Sequence, residues 1–244
     1  ISPMRLLAAI VNDPRTEHIL LYIEGIRDAR RFMSALRATA RLKPIVLVKV
    51  GRHAAGSRAV QSHTGALVGS DAVFDALVRR AGVVRVNTIL QLFASARALS
   101  THIRPSGNRL AIVTNGGGPG VMATDLAVDM GVRMAELSPV TLATLDRVLP
   151  ASWSRANPLD IIGDATAERY RAAVDACLDD DGVDGVLVML TPQAMTRPTE
   201  VAAAVIEAAK NSSKPVLTCW MGEAQVHQGR RLFKQAGIPF FTTP

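Results

Sequence analysis

The chain has 244 residues, 48% of them apolar and 4% aromatic, with two cysteines and a formal net charge of +7. That length holds one large domain or two ordinary ones, and an apolar set dominated by Ala, Val and Leu suits layered helix and sheet better than a sandwich or barrel. Cys177 and Cys219 lack CxxC spacing, which argues against a structural zinc site or disulfide framework and for a reducing compartment, here the cytoplasm. The basic residues are scattered, with the pairs Arg30-Arg31, Arg79-Arg80 and Arg230-Arg231 in helix-like stretches. No continuous stripe for nucleic acid results, although anionic small ligands remain compatible. No apolar run approaches the roughly 20 residues that span a bilayer, and no signal peptide is visible, so no membrane partner is expected.

In chain order, hydrophobic spacing predicts a helix over 3–11, a strand over 18–23 and a helix over 28–40. A strand over 45–50, a helix over 70–81, a strand over 83–86 and a helix over 89–101 follow. The stretch "THIRPSGNR", 101–109, breaks the pattern with Pro, Ser, Gly and Asn and reads as a domain boundary. Beyond it come strands over 110–114, 133–136, 185–190, 216–220 and 239–242. Helices are expected over 120–130, 139–148, 167–178, 199–211 and 223–236. Strands separated by helices of this length predict an α/β fold with parallel sheets and right-handed crossovers. Fully apolar strands such as "VLVML" fit sheets covered on both faces. The expected domains are 1–105 and 106–244. The first, with few strands, reads as lacking its opening part, and a chain starting at Ile1 reads as a fragment of something longer.

Four stretches carry candidate chemistry. In "SHTG", Ser62 to Gly65, a neutral imidazole is nucleophilic and becomes a good leaving group once phosphorylated. His63 is therefore a candidate phosphoryl carrier, with a turn or surface histidine as the alternative. "LLYIEGIRD" puts Glu24 where an apolar strand ends, the carboxyl edge at which parallel sheets keep functional residues. A carboxylate there can accept one imidazole N–H and leave the other nitrogen free to attack, or can simply cap a helix. "LAIVTNGGGPGVMATD" runs from strand through glycine loop into a helix expected to start near Pro119 or Gly120. Backbone N–H groups and the helix dipole there would make an anion site, with close strand–helix packing as the other reading. Its spacing is neither GxGxxG nor GxxxxGK(S/T), which disfavours a dinucleotide or Walker-type site. "ANPLDIIGDA" offers Asn157, Asp160 and Asp164 as site residues or as turn formers. Arg52 and His53 are expected beside a loop, His18, His102 and His227 at the surface, Glu223 at a helix cap and Cys219 in a buried strand.

In succession, "YIEGIRDARRF", "KPIVLVKVGR", "SHTGALVGSDAVFDALVRRAGVVRV", "TNGGGPGVMATD" and "NPLDIIGDA" resemble blocks of the NDP-forming acyl-CoA synthetases. That superfamily includes succinyl-CoA synthetase and the ADP-forming acetyl-CoA synthetases, and the resemblance runs over essentially the whole chain. It implies two flavodoxin-like, succinyl-CoA synthetase-like domains. It implies that His63 is the phosphohistidine and that Glu24 orients it. Phosphate would be held by the turn of Asn115, Gly116, Gly117, Gly118 and Gly120, with Ser62, Thr64, Gly65, Asn157 and Asp160 in support and no metal ligands. The implied activity is that of an acid–thiol ligase working through an acyl phosphate and a phosphohistidine, the fragment alone being inactive. CoA or acyl-CoA, and ATP or ADP with Mg, would be bound mainly by CoA-binding and ATP-grasp domains of the same or a partner chain. A small acyl substrate, phosphate and an oligomeric assembly complete the implied set. The same domains also occur fused to a GNAT domain in protein lysine acetyltransferases, where they bind ligands and regulate. "ASWSRANPLDIIGDATAERYRAAV" and "TCWMGEAQVHQGRRLFKQAGIPFFTTP" resemble that alternative, whereas the retained His63 favours the ligase.

Overall fold

A computed structural model describes residues 3–26, 28–53, 55–56, 70–101, 104–210 and 212–244. The chain divides into two compact units, Ile1–Ser100 and Thr101–Pro244.

The first unit contains the helix Pro3–Val11, β1 (Ile19–Ile23), the helix Ala29–Ala40 and β2 (Ile45–Lys49). The helix Asp71–Arg80, β3 (Val84–Val86) and the helix Ile89–Leu99 follow. The strands pair in parallel in the order β1-β2-β3, with Ile23 opposite Lys49 and Leu47 opposite Arg85. The first four residues of β2, Ile45 to Val48, are all apolar because both faces of the strand are covered. Ile45 and Leu47 pack with Leu7, Phe32, Leu36 and Val78 on one side, and Val46 and Val48 meet Leu92 on the other. Helix starts are set locally. Asp28 Oδ1 accepts the Arg31 N–H at 3.0 Å, and Thr88 with Gln91 forms a capping box.

The second unit runs β4 (Arg109–Thr114), the helix Gly117–Asp129, β5 (Arg133–Met134), the helix Pro139–Val148 and β6 (Leu159–Asp160). It continues with the helix Ala167–Asp179, β7 (Gly185–Leu190), the helix Pro198–Ala209 and β8 (Val216–Trp220). A 3-10 turn (Ala224–Val226), the helix His227–Gln235 and β9 (Phe240–Phe241) close it. The parallel order is β5-β4-β7-β8-β9, with β6 beside the end of β4. With β6 set aside, that is the flavodoxin-like order 2-1-3-4-5. The fold class is thus α/β with parallel, flavodoxin-like sheets, as expected. One sheet face carries the larger core, where Trp220 meets the Phe233 ring edge-on at 4.7 Å and Tyr170 donates its hydroxyl to Met189 O at 2.8 Å. The other face, with Ile112, Met189 and Cys219, lies under the glycine-led helix. That helix buries only the small residues Gly120, Ala123 and Ala127, so its axis comes close to the sheet.

Three elements differ from the expectations. The glycine-led helix starts at Gly117, ahead of Pro119, because Gly120 N–H already donates to Gly116 O at 3.3 Å. The stretch "ANPLDIIGDA", expected to supply site residues or turn formers, contains β6, whose two residues become a strand only by pairing with Val113 and Thr114. The single helix expected over 223–236 is a 3-10 turn followed by a helix, and Glu223 stands at the cap position without a side-chain capping bond. Among the described residues no helix is long and apolar enough to cross a membrane.

Candidate functional site

In the first unit the carboxyl edge of the sheet is built by the ends of β1 and β2. Glu24 directly follows β1 and is half-buried. Beside it the Val50 N–H donates to Ile23 O at 3.0 Å, which ties the two strand ends together. Arg52 Nη1 donates to Asn87 Oδ1 at 2.6 Å, and His53 is exposed. His63, Ser62, Thr64 and Gly65 lie outside the described residues, as does the expected pairing of His63 with Glu24.

The carboxyl edge of the second unit is laid out in full. Thr114 Oγ1 accepts the Gly116 N–H at 3.1 Å and donates to Gly116 O at 3.0 Å, which turns the chain out of β4. Gly116 is the helix cap, and the first turn holds no acidic residue. Of the N–H donors that a helix start leaves without an intrahelical partner, that of Gly116 goes to Thr114 and Pro119 has none. Gly117 and Gly118 remain, two adjacent N–H groups at the positive end of the helix dipole. Such an end stabilises an anion by up to about 2 kcal/mol when partly buried.

Packing explains most of these glycines, and one stands apart. A Cβ on Gly116 would lie 2.9 Å from Thr191 Oγ1, one on Gly117 3.0 Å from Asp160 Oδ2, and one on Gly120 2.9 Å from Thr114 Cγ2. At Gly118 a Cβ would have nothing within 4 Å. That side of the turn is open, as the mouth of an anion site must be.

The remaining candidates have structural duties. Asn115 spends its amide on Thr191, donating to Thr191 O at 2.9 Å and accepting Thr191 N–H at 2.8 Å. Its side chain thus sets the turn's position and is not aimed at a ligand. Asn157 accepts the Ile112 N–H at 3.0 Å and donates to Leu110 O at 2.7 Å and Ala135 O at 3.0 Å. It stitches the flank of β4 between the short strands β5 and β6. Asp160 Oδ1 accepts the Ile162 N–H at 3.0 Å, which leaves Oδ2 toward Gly117. Asp164 pairs with Arg169 at 2.5 Å. The sequence reading missed Thr191, whose Oγ1 is buried with no hydrogen-bond partner among the described residues, and Gln193, whose Nε2 donates to Asn115 O at 3.4 Å. Their position just past the end of β7, next to β4 in the sheet, was the available signal.

Flavodoxin-like parallel sheets, with a glycine-led helix start at the carboxyl edge of the second, place the chain among α/β proteins that bind small ligands beyond their strand ends. Residues 1–99 match the succinyl-CoA ligase like flavodoxin domain and residues 110–243 the Ligase-CoA domain. The chain belongs to the NDP-forming acyl-CoA synthetase superfamily. It is 39% identical, over 98% of its length, to the ADP-forming acetate–CoA ligase I of Archaeoglobus fulgidus, of which it covers 34%. It is 37% identical, again over 98%, to the alpha subunit of ADP-forming acetate–CoA ligase II of Pyrococcus furiosus, of which it covers 53%. The dinucleotide forming acetyl-coenzyme A synthetase 1 of Ca. Korarchaeum cryptofilum, in complex with phosphate and ADP, superposes with a TM-score of 0.90 at 33% identity. That match takes in 100% of this chain and 53% of the other. The chain therefore spans about a third to a half of the relatives it matches. These three are CoA ligases or synthetases, and the GNAT-fused alternative gains no support from them.

Proposed function

We propose that this region carries and receives the phosphoryl group in an NDP-forming acyl-CoA synthetase, which joins an acid to CoA while ATP becomes ADP and phosphate. The observation that supports this most directly is the helix start at Gly117 and Gly118. It offers two adjacent N–H donors beside open space at Gly118. His63 takes the γ-phosphoryl group of ATP onto a ring nitrogen and releases ADP. A carboxylate oxygen of the acid then attacks phosphorus, and the phosphorus–nitrogen bond breaks to leave an acyl phosphate and a free imidazole. The CoA thiol displaces phosphate from that anhydride. Glu24 orients the imidazole by accepting one ring N–H. The N–H groups of Gly117 and Gly118 stabilise the equatorial phosphoryl oxygens, the kind of charge stabilisation on which such transfers depend.

Phosphate fits this turn on the chemistry of its donors. CoA and the nucleotide belong to CoA-binding and ATP-grasp domains of the complete protein or of a partner chain, and a cytoplasmic oligomer is the setting proposed here. Among the described residues no three His, Cys, Asp or Glu side chains gather as a metal site. Magnesium, in this proposal, enters with the nucleotide. The test is incubation of the complete protein with γ-labelled ATP. Acid-labile, base-stable label that disappears in His63→Ala is expected, and label that survives this substitution overturns the reading.

A further inference from the structure

In sequence, His63 lies between β2 and the helix Asp71–Arg80, and both of these elements are described. Arg85, in β3, lies in register with Leu47, and its side chain is only 8% exposed. Its guanidinium pairs with Asp71 at 2.6 Å and with Asp75 at 3.2 Å, and lies 5.4 Å from the centre of the Phe74 ring. The Asp71 carbonyl accepts a further bond at 3.5 Å. Phe74 also carries the ammonium of Lys49, 5.6 Å from the ring centre. Lys49 is the last residue of β2, 8% exposed, and donates to Val50 O at 2.9 Å. One ring and four charges thus join the end of β2 to the start of the helix that follows His63 in sequence.

A buried ionic cluster of this kind adds little stability over an apolar cluster of the same shape. What it confers is definition. A planar fork gripping two carboxylates one helical turn apart permits a single placement of the helix start, which an apolar contact or a lysine point charge does not enforce. Near-attack geometry is lost with displacements of about 1 Å, so a carrier residue gains from a fixed helix next to its segment in sequence.

We propose that Arg85 is a positioning residue for phosphoryl transfer through His63: with Asp71 and Asp75 it fixes the start of the helix that follows the His63-bearing segment in sequence, while Lys49 and Phe74 tie that helix to the end of β2. The inference rests on the reading of His63 given above. In the complete protein, single-turnover labelling by γ-labelled ATP is compared for wild type, Arg85→Met, Arg85→Lys and Asp75→Asn. Arg85→Met slows labelling at least tenfold with an unchanged KM for ATP. Arg85→Lys restores part of the rate, and Asp75→Asn, which keeps the Asp71 contact, slows it by a smaller factor. Should Arg85→Met not fold, the order wild type, Asp75→Asn, Arg85→Lys is expected on its own. Wild-type labelling rates in Arg85→Met, or in both Asp75→Asn and Arg85→Lys, overturn the proposal. Absence of acid-labile label in the wild type instead overturns the His63 reading, and this inference falls with it.

Discussion

Asn115 and Thr191 hold each other by two hydrogen bonds, with the amide of the first closing on both backbone groups of the second at 2.9 and 2.8 Å. One residue follows β4 and the other follows β7, its neighbour in the sheet, so the pair fixes the gap in which the glycine turn sits. Asn115→Leu would leave two backbone groups of Thr191 unpaired at a buried edge. A loss of about 1–3 kcal/mol for each group is the expected scale, read as a lower urea midpoint.

Gly116 and Gly118 should respond in opposite ways to the same methyl group. Gly118→Ala meets no atom and gains about 1 kcal/mol of helix propensity, so the thermal midpoint should hold or rise. Phosphoryl transfer should nevertheless fall at least tenfold, because the methyl stands in the open mouth of the turn. Gly116→Ala runs into Thr191 Oγ1, and the midpoint should drop. Calorimetry beside single-turnover labelling separates the two effects.

Asp160 Oδ2 faces the same helix start as the proposed phosphate. On the proposed reading, a negative charge there would oppose a phosphoryl group held by the Gly117 and Gly118 N–H groups. Asp160→Asn should therefore tighten inorganic phosphate binding by about tenfold or less, as expected for one partly screened like charge. Titration calorimetry with phosphate checks this, and weaker binding would contradict the placement.

The start of β4 is anchored by Arg109, which donates through Nε and Nη2 to the two oxygens of Asp184, each at 2.8 Å. These bonds, together with the Arg109 backbone N–H, hold the Asp184 carboxyl well below the usual carboxylate range. A depressed folded-state pKa contributes stability that is present above the unfolded value, about 3.9, and is lost as pH falls through the folded one. Asp184→Asn should be less stable than wild type at neutral pH and show a shallower loss of stability between about pH 4 and pH 2. Urea midpoints across that range report the slope.

Burial pushes the Cys177 and Cys219 thiols up to about 12. At neutral pH neither supplies a useful fraction of thiolate, so the folded protein should resist alkylation at both positions. Both should label fully in denaturant, with mass spectrometry as the readout.

The strand-end positions of Glu24 and of the glycine run were legible in the sequence because each follows an apolar strand. Thr191 and Gln193 follow an equally legible strand, β7, but carry no motif; only their adjacency to Asn115 gives them a part. Asn157 and Asp160 illustrate the converse. Both sit in a recognisable stretch, yet one amide is consumed by sheet backbone while the other residue points a carboxylate at the glycine turn. Two residues of β6 are too few to show any period, and they are a strand only because β4 lies beside them.

By itself the sequence determined the alternation of strands and helices, the parallel α/β class and the position of its glycine-bearing turn. These follow from local spacing, which a chain expresses wherever it folds. The tertiary structure alone decided which polar groups are spent on the sheet and which face outward, and which charges gather around Phe74. Such choices depend on residues distant in the chain meeting at one strand edge, and no local pattern encodes that meeting.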